Sequence, residues 1–332
     1  MMNVSVVVPV YNSSSILPTL VARLKPVLTV HYDTYELILI NDGSRDTSWD
    51  VICDLVKNHT WIRGINLMRN YGQHNAVLCG IRKARFEIIV TMDDDLQHPP
   101  EEIPKLTRML EQGFDVAYGS PLQEQHGLWR DLASIITKSS LQATIGSETA
   151  RMVSAFRAFR TLVRDAFAEY RGSFVSIDVL LTWGTTRFIA IPVKHDPRKT
   201  GVSNYTLRKL INHAINMMTG FSSIPLQLAS ILGFLFTIFG FLILLLVVGN
   251  YIIRGGGVQG FTFLACIISI FSGVQLLVLG IFGEYLARVH FRTMDRPSSI
   301  IREIREQPET EDLKELDSII HAPEHVVNKL GT

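Results

Sequence analysis

No Asp, Glu, Lys or Arg occurs from Leu210 to Ile253, and none from Gly255 to Gly283. Two apolar segments result, about 226–253 and 261–286, the second carrying Glu284 near its end. Each exceeds the ~20 residues a helix needs to cross the hydrocarbon core of a bilayer. A soluble helix of that length normally keeps a polar face, which these segments lack. The joint, Arg254-Gly255-Gly256-Gly257-Val258-Gln259-Gly260, is short and flexible. The pattern predicts a transmembrane hairpin and confines any water-soluble domain to the residues on either side. Lys194, Arg198, Lys199, Arg208 and Lys209 precede the hairpin, and Arg288, Arg292 and Arg296 follow it, whereas the joint holds only Arg254. By the positive-inside rule both termini are expected in the cytoplasm. Nothing at the N-terminus reads as a signal peptide: the apolar run 4–10 meets Tyr-Asn-Ser-Ser-Ser at once. From Tyr205, apolar Leu207, Leu210, Ile211, Ala214, Ile215 and Met218 share one helical face and Arg208, Lys209, Asn212, His213 and Asn216 the other. This predicts an amphipathic helix in the membrane interface. Glu284 and Arg288 stand four apart at the end of the second span and read as an interfacial ion pair.

The chain has 332 residues and a net charge of +1, so no basic field points to nucleic acid. Its three cysteines, Cys53, Cys79 and Cys266, suit neither a disulfide framework nor a zinc site. Ahead of the hairpin, strand and helix patterns alternate. Residues 4–10, 36–41, 61–67 and 86–92 are strand-like runs, β-branched or apolar, as in strands buried on both faces. Each ends in polar residues. Helical patterns follow at 17–24, up to about 56, up to about 82, and at 101–112. Hydroxyls at 13–15 are available to cap the first helix. A strand at 115–118, a helix at 128–145, a mixed basic stretch at 151–160, a helix at 174–183 and a strand at 187–193 complete the reading. The alternation predicts a doubly wound, mostly parallel α/β sheet with its polar strand ends on one edge. The acidic stretch 306–315 and the tail after it show no strong pattern and are expected to be patchily helical or disordered.

One strand end stands out. Asp93-Asp94-Asp95-Leu96-Gln97-His98 closes the run 86–92, and Pro99-Pro100 then forbids further strand and suits a helix opening. Carboxylates at the C-terminal ends of strands lie where open α/β sheets bind ligands. Three crowded acids repel one another unless a cation joins them. Mg²⁺ or Mn²⁺ takes carboxylate oxygens and shares its other positions with water and phosphates, so a metal–diphosphate site is expected here. A solvated acidic turn is the alternative.

These residues resemble a family 2 glycosyltransferase of the polyisoprenyl-phosphate type. The matching pieces are Val-Val-Val-Pro-Val-Tyr-Asn (6–12), Asn-Asp-Gly-Ser-Arg-Asp (41–46), Arg-Asn-Tyr-Gly-Gln-His (69–74), Asp-Asp-Asp-Leu-Gln-His-Pro-Pro-Glu (93–101), Arg-Lys-Thr-Gly-Val-Ser-Asn-Tyr (198–205) and Gly-Glu-Tyr-Leu-Ala-Arg (283–288). The resemblance implies a GT-A fold, Rossmann-like, over 1–203, a juxtamembrane helix at 204–224, the hairpin within 225–288 and a cytoplasmic tail at 289–332. It implies Asp95, Gln97 and Asp93 as metal contacts, with Asp93 against the donor. Pro9, Tyr11, Asp42 and Arg69 would line the nucleotide pocket. It further implies a nucleotide-sugar donor, with UDP as the nucleotide, a polyisoprenyl phosphate acceptor, the bacterial inner membrane and a homo-tetramer.

For the acceptor, chemistry adds an argument. A lipid phosphate monoester has a second pKa near ~6 and is mostly dianionic at neutral pH, so it needs cations more than a base. Arg130 with Ser134, and Arg198 with Ser203, match the family's phosphate-binding positions, with Arg157 and Arg160 as alternatives. The chain departs from the family pattern at Ser13, Pro121, Arg151 and Asn204. At Arg151 an acid sometimes assigned as base is missing. Two rival functions follow: transfer to another lipid or glycan acceptor, and an inactive membrane-anchored sugar-nucleotide-binding scaffold. A processive synthase would carry a Gln-X-X-Arg-Trp motif, which is absent.

Overall fold

The computed structural model describes residues 2–121, 153–172, 175–196, 224–254, 260–294 and 296–307. The runs predicted to be buried strands form β1 (Met2–Val10), β2 (Tyr32–Asn41), β3 (Ile62–Leu67) and β4 (Ile88–Thr91). Helices α1 (Leu17–His31), α2 (Ser48–Asn58) and α3 (Gln73–Lys83) connect them. A single 3₁₀ turn at Pro100–Glu102 opens α4 (Ile103–Glu111), which leads to β5 (Val116–Pro121). Then come β6 (Arg157–Arg160), a 3₁₀ segment (Thr161–Phe167), α5 (Ile177–Gly184) and β7 (Phe188–Val193). The last elements are α6 (Ile224–Arg254), α7 (Phe261–Thr293) and β8 (Ile301–Arg305).

All eight strands join one sheet in the order β7-β5-β6-β4-β1-β2-β3-β8. β1 pairs in parallel with β2 and β4, as do β2 with β3 and β5 with β7. β6 runs antiparallel between β4 and β5, and β8 runs antiparallel on β3. One face of the sheet packs α1, α2 and α4 against Val4, Val6 and Val8, and the other packs α3 and α5 against Val7, Ile38 and Ile40. Coverage of both faces explains why the strand sequences are apolar without alternation. This is the doubly wound, mostly parallel sheet of the GT-A class.

Three local expectations are corrected. Helix α1 continues past the predicted stop at Leu24 to His31, with Pro26 inside it. The carbonyl four residues back is that of Ala22, on the exposed face, where water can replace the missing donor, while buried Leu24 and Leu28 hold the helix to the sheet. No serine side chain caps α1; the Ser13 carbonyl accepts from Ile16 N at 3.0 Å instead. The serine loop is occupied elsewhere: Ser13 N donates to Ser48 Oγ (2.9 Å) and Ser14 N to Asp46 Oδ2 (3.2 Å). The third correction concerns the two antiparallel strands. β6 lies in the stretch read as mixed, and β8 just ahead of the acidic stretch, where no element was predicted.

α6 and α7 are long and apolar enough to cross a membrane, with spans at Leu226–Ile253 (mean hydropathy 3.0) and Ile270–Ala287 (1.6). Neither span is buried within the protein, and Phe234, Leu235, Phe241, Leu276 and Leu279 are among their exposed side chains. The two helices touch where Phe236 and Phe271 meet edge to face at 5.8 Å. At Gly240 a Cβ would stand 3.0 Å from Phe271, the close approach that small residues permit between membrane helices. The predicted helix at 128–145, the amphipathic helix from Tyr205 and the Arg288 side chain lie outside the described residues.

Candidate active site

The strand order makes β1 a switch point: the chain proceeds from β1 through β2 to β3, then returns to β4 on the other side. Connections diverge there and leave a crevice beyond the carboxyl ends of the strands, the usual ligand position in open α/β sheets. Tyr11 follows β1 and Asp93–Asp95 follow β4, and Tyr11 N donates to Asp94 Oδ2 at 3.4 Å across the divide. The loops after β2 and β3 close the third side. The Asp42 carboxylate accepts from Tyr71 N (2.7 Å) and Gly72 N (2.9 Å). Gly43 adopts φ +64°, and a Cβ there would stand 2.5 Å from Asn70 N, so only glycine allows the two loops to touch.

The result is a cavity of 240 Å³ lined by Pro9, Tyr11, Asp42, Asn70, Gln73 and Asp93–Asp95, among others. Five of the sequence candidates, Pro9, Tyr11, Asp42, Asp93 and Asp95, thus converge from three strand ends. Arg69 stands on the loop after β3, its guanidinium 4.4 Å above the Tyr71 ring. Gln97 lies one turn beyond the acids: its N–H donates to Asp95 Oδ1 (3.1 Å) and its carbonyl accepts from Asp196 N (2.8 Å). Leu96 between them is buried and held at φ 58°, a costly conformation for a bulky residue, so the fold constrains this turn tightly. Arg130, Ser134, Arg198 and Ser203 lie outside the described residues.

The electrostatics are those of an acid cluster short of positive charge. Burial first, then repulsion from Asp95 and Asp94, pushes Asp93 up to about 6, against the pull of Arg157 and of a hydrogen bond from Gln73. Burial likewise pushes Asp94 up to about 6, opposed by bonds from Ser13 and Tyr11. Burial raises Asp42 against its two backbone bonds and Arg69. Among the described residues, no three His, Cys, Asp or Glu side chains form a complete metal-binding set. The donors present nonetheless fit Mg²⁺ or Mn²⁺, hard ions commonly held by one or two carboxylates with phosphate oxygens filling the remaining positions.

A second cavity of 290 Å³ shares Gln73 and Asp93 with the first and extends beneath Met92 to Ser154, Arg157 and Asp178. Gln73 Nε2 donates to Asp93 Oδ1 at 2.6 Å on the boundary. Arg157 is not a surface residue, although it lines this cavity. Its side chain is 3 % exposed and ion-paired with Asp178, and its Nε donates to Thr91 Oγ1 at 3.0 Å. Arg160 is remote from the site: it pairs with Ile88 at the other end of β6, and its Nη2 donates to the Leu110 carbonyl at 2.7 Å. Asp178 escaped sequence reasoning as a site residue, because nothing local marks a lone Asp in an apolar helix as facing a cavity.

The fold and the acid-lined switch-point crevice define a doubly wound α/β domain with a candidate ligand site beyond the carboxyl ends of its strands. Residues 5–169 match the model of Glycosyl transferase family 2. Over 317 residues the chain is 33 % identical to an undecaprenyl-phosphate 4-deoxy-4-formamido-L-arabinose transferase of Photorhabdus laumondii, covering 94 % of this chain and 97 % of that one. A transferase of the same name from Yersinia enterocolitica is 33 % identical, with coverage of 95 % and 97 %. Among solved structures, glucosyl-3-phosphoglycerate synthase from Mycobacterium tuberculosis, with Mn²⁺, UDP and glucosyl-3-phosphoglycerate, aligns with a TM-score of 0.49 at 15 % identity over 66 % of this chain and 78 % of that one. The chain belongs to glycosyl transferase family 2 and is a glycosyltransferase.

Proposed function

We propose that the protein transfers one sugar from a UDP-sugar to a polyisoprenyl phosphate, undecaprenyl phosphate in the first instance, at the cytoplasmic face of a bacterial inner membrane. The observation that carries the reading is the convergence of Tyr11, Asp42 and Asp93–Asp95 around one cavity at the switch point, in a chain that also carries two membrane-length helices. The relatives' names support the lipid acceptor.

The reaction is a single displacement with inversion. An oxygen of the lipid phosphate forms the new bond to the anomeric carbon, the bond from that carbon to the diphosphate breaks, and the electron pair leaves with UDP. The acceptor is mostly dianionic at neutral pH and brings no proton that must be removed. Loss of a family acid at Arg151 therefore does not disable this chemistry. Asp95 and Gln97, with Asp93 toward the donor, would hold a divalent cation. Bound there, the ion neutralises charge that develops on the leaving diphosphate. Arg69, stacked on Tyr71, would add a cation for the nucleotide from the loop after β3. Arg130 with Ser134, and Arg198 with Ser203, would receive the acceptor phosphate. The juxtamembrane helix at 204–224 would keep the cleft at headgroup level. A homo-tetramer and cytoplasmic termini complete the proposal.

The test is transfer of radiolabelled sugar to undecaprenyl phosphate from a panel of UDP-sugars, in Mg²⁺ or Mn²⁺. Asp95→Asn should lower turnover by about 10²–10³-fold, the usual loss when one transition-state stabiliser is removed, and EDTA should abolish wild-type transfer. Near-normal rates in the mutant would remove Asp95 from the site. Nucleotide binding without any transfer would favour the scaffold reading.

A further inference from the structure

The chain leaves α7 at Thr293 and is fastened to the α/β domain soon afterwards. Ser298 is buried, and its Oγ accepts from Nη1 of Arg82, in the last turn of α3, at 3.2 Å. An extended chain covers at most ~3.6 Å per residue, so the stretch from Thr293 to Ser298 keeps this anchor within about 18 Å of the end of α7. The chain then reaches Ile300, whose carbonyl accepts from Met68 N at 2.9 Å, and enters β8.

Large apolar side chains collect along this path. Met294 is 44 % exposed, Ile300 48 % and Met68 47 %. Exposed apolar residues scattered singly need no explanation. These three stand on, or are hydrogen-bonded to, the segment that follows a membrane-length helix. Cations border them. Residues 292–302 carry Arg292, Arg296 and Arg302 against one acid, Asp295. Arg296 and Arg302 are exposed, Arg302 Nη2 donates to the Met68 carbonyl at 3.2 Å, and exposed Arg69 comes next in the chain. Glu303, the next acid, is paired with Arg305. Apolar side chains with basic neighbours suit the boundary of an anionic bilayer, where the apolar groups enter the acyl edge and the cations stay with the phosphates. Guanidinium groups match phosphate oxygens in paired hydrogen bonds.

We propose that this edge of the domain, Met68 and Ile300 with Met294, Arg296 and Arg302, lies on the anionic headgroup layer of the bilayer that α6 and α7 cross. The proposal depends on the membrane reading of those two helices. The contact is additional to the amphipathic helix expected at 204–224 and belongs to the β3–β8 side of the sheet. Because Ile300 and Arg302 hold both backbone groups of Met68, it sets the height of the loop after β3 above the lipid. Leu162 provides the comparison. It is also exposed, but it follows β6 where Arg160 pairs with Ile88 at the amino end of β4, on the opposite edge of the sheet.

The experiment uses the unaltered full-length protein in vesicles containing a diazirine-bearing phosphatidylglycerol or, separately, the matching phosphatidylcholine, with the reactive group near the glycerol. After irradiation, lipid adducts are mapped by mass spectrometry. The peptides holding Met68 and Ile300 should gain adducts about fivefold or more above the peptide holding Leu162. The anionic probe should label them about twofold or more above the zwitterionic one. Adducts on α6 and α7 with none above the Leu162 level at Met68 and Ile300 would overturn the proposal. Equal labelling by the two probes would overturn its anionic part. Arg296→Gln should reduce the preference for the anionic probe at Ile300 and leave labelling of the helices unchanged; an unaltered preference would remove Arg296 from the contact. Protein cross-links between copies at Met68 or Ile300, in place of lipid adducts, would assign the edge to a second copy and overturn the lipid assignment. Absence of adducts on α6 and α7 as well would defeat the membrane reading itself, a result distinct from all of these.

Discussion

Asp42 and Gly43 together template the loop after β3. The carboxylate accepts two converging backbone donors, at 2.7 and 2.9 Å, and the absent side chain next to it lets residues 69–70 approach. An amide can accept at only one of the two positions and would oppose a donor with a donor at the other. Asp42→Asn should therefore cost about 1–3 kcal/mol in loop position and weaken UDP binding roughly tenfold or more, since about 1.4 kcal/mol is a factor of ten. Titration with UDP checks this; unchanged affinity would mean that the loop holds its shape without Asp42. Gly43→Ala meets two backbone atoms inside 3.0 Å as well as a positive φ, so it should lower the Tm and abolish UDP binding together. The resemblance implied Asp42 as pocket lining, and the side chain both lines the cavity and supports the turn. It is the turn support that makes the pocket.

At the scale of elements, β8 ties the end of the hairpin to the loop after β3. It follows α7 closely and pairs with β3 from Gly64↔Arg305 to Leu67↔Ile301. Beyond the ladder, Met68 N donates to the Ile300 carbonyl (2.9 Å), and Arg302 Nη2 donates to the Met68 carbonyl (3.2 Å). Met68 immediately precedes Arg69, so both of its backbone groups are fixed by the returning segment. Glu306 anchors the far end by accepting from Arg63 Nε (2.8 Å) and Arg85 Nη2 (2.7 Å), and Arg63 is buried against Glu36 at 2.9 Å. Glu306→Gln leaves Arg63 its buried partner Glu36 but removes half of its counter-charge. We expect a lower Tm and a raised KM for the donor with kcat little changed. A full-length variant with Ile301 and Ile304 both changed to proline would break the ladder and should raise that KM further. If KM holds in both variants, the strand stabilises the sheet without positioning the loop.

The whole molecule joins an α/β sheet to two helices whose apolar side chains face outward from the protein. Those surfaces far exceed the few hundred Å² of contiguous apolar patch tolerated on a soluble monomer. The protein should stay in the membrane pellet through alkaline carbonate washing and require detergent for extraction, and its recovery in the wash would remove the bilayer from the account. Gly240→Leu should force the helices apart at Phe271 and lower the Tm in detergent while leaving UDP affinity intact, because the crevice lies on the other part of the fold.

Local pattern determined much of this. Uninterrupted apolar runs announced two membrane-length helices, and polar ends on buried strands announced the edge that carries Pro9, Tyr11, Asp42 and Asp93. Such features depend on contiguous residues and on the burial that a parallel sheet imposes. Tertiary structure alone decided the rest. β8 reads Ile-Arg-Glu-Ile-Arg, with its isoleucines at a helical spacing, and becomes a strand because the open edge of β3 offers unpaired backbone groups. β6 is four residues long, and Arg157 looks like surface charge until Asp178 arrives from α5, 21 positions later in the chain, to neutralise it in the interior. A buried ion pair is energetically tolerable only when both partners are present. No window of sequence short of the whole fold contains that condition.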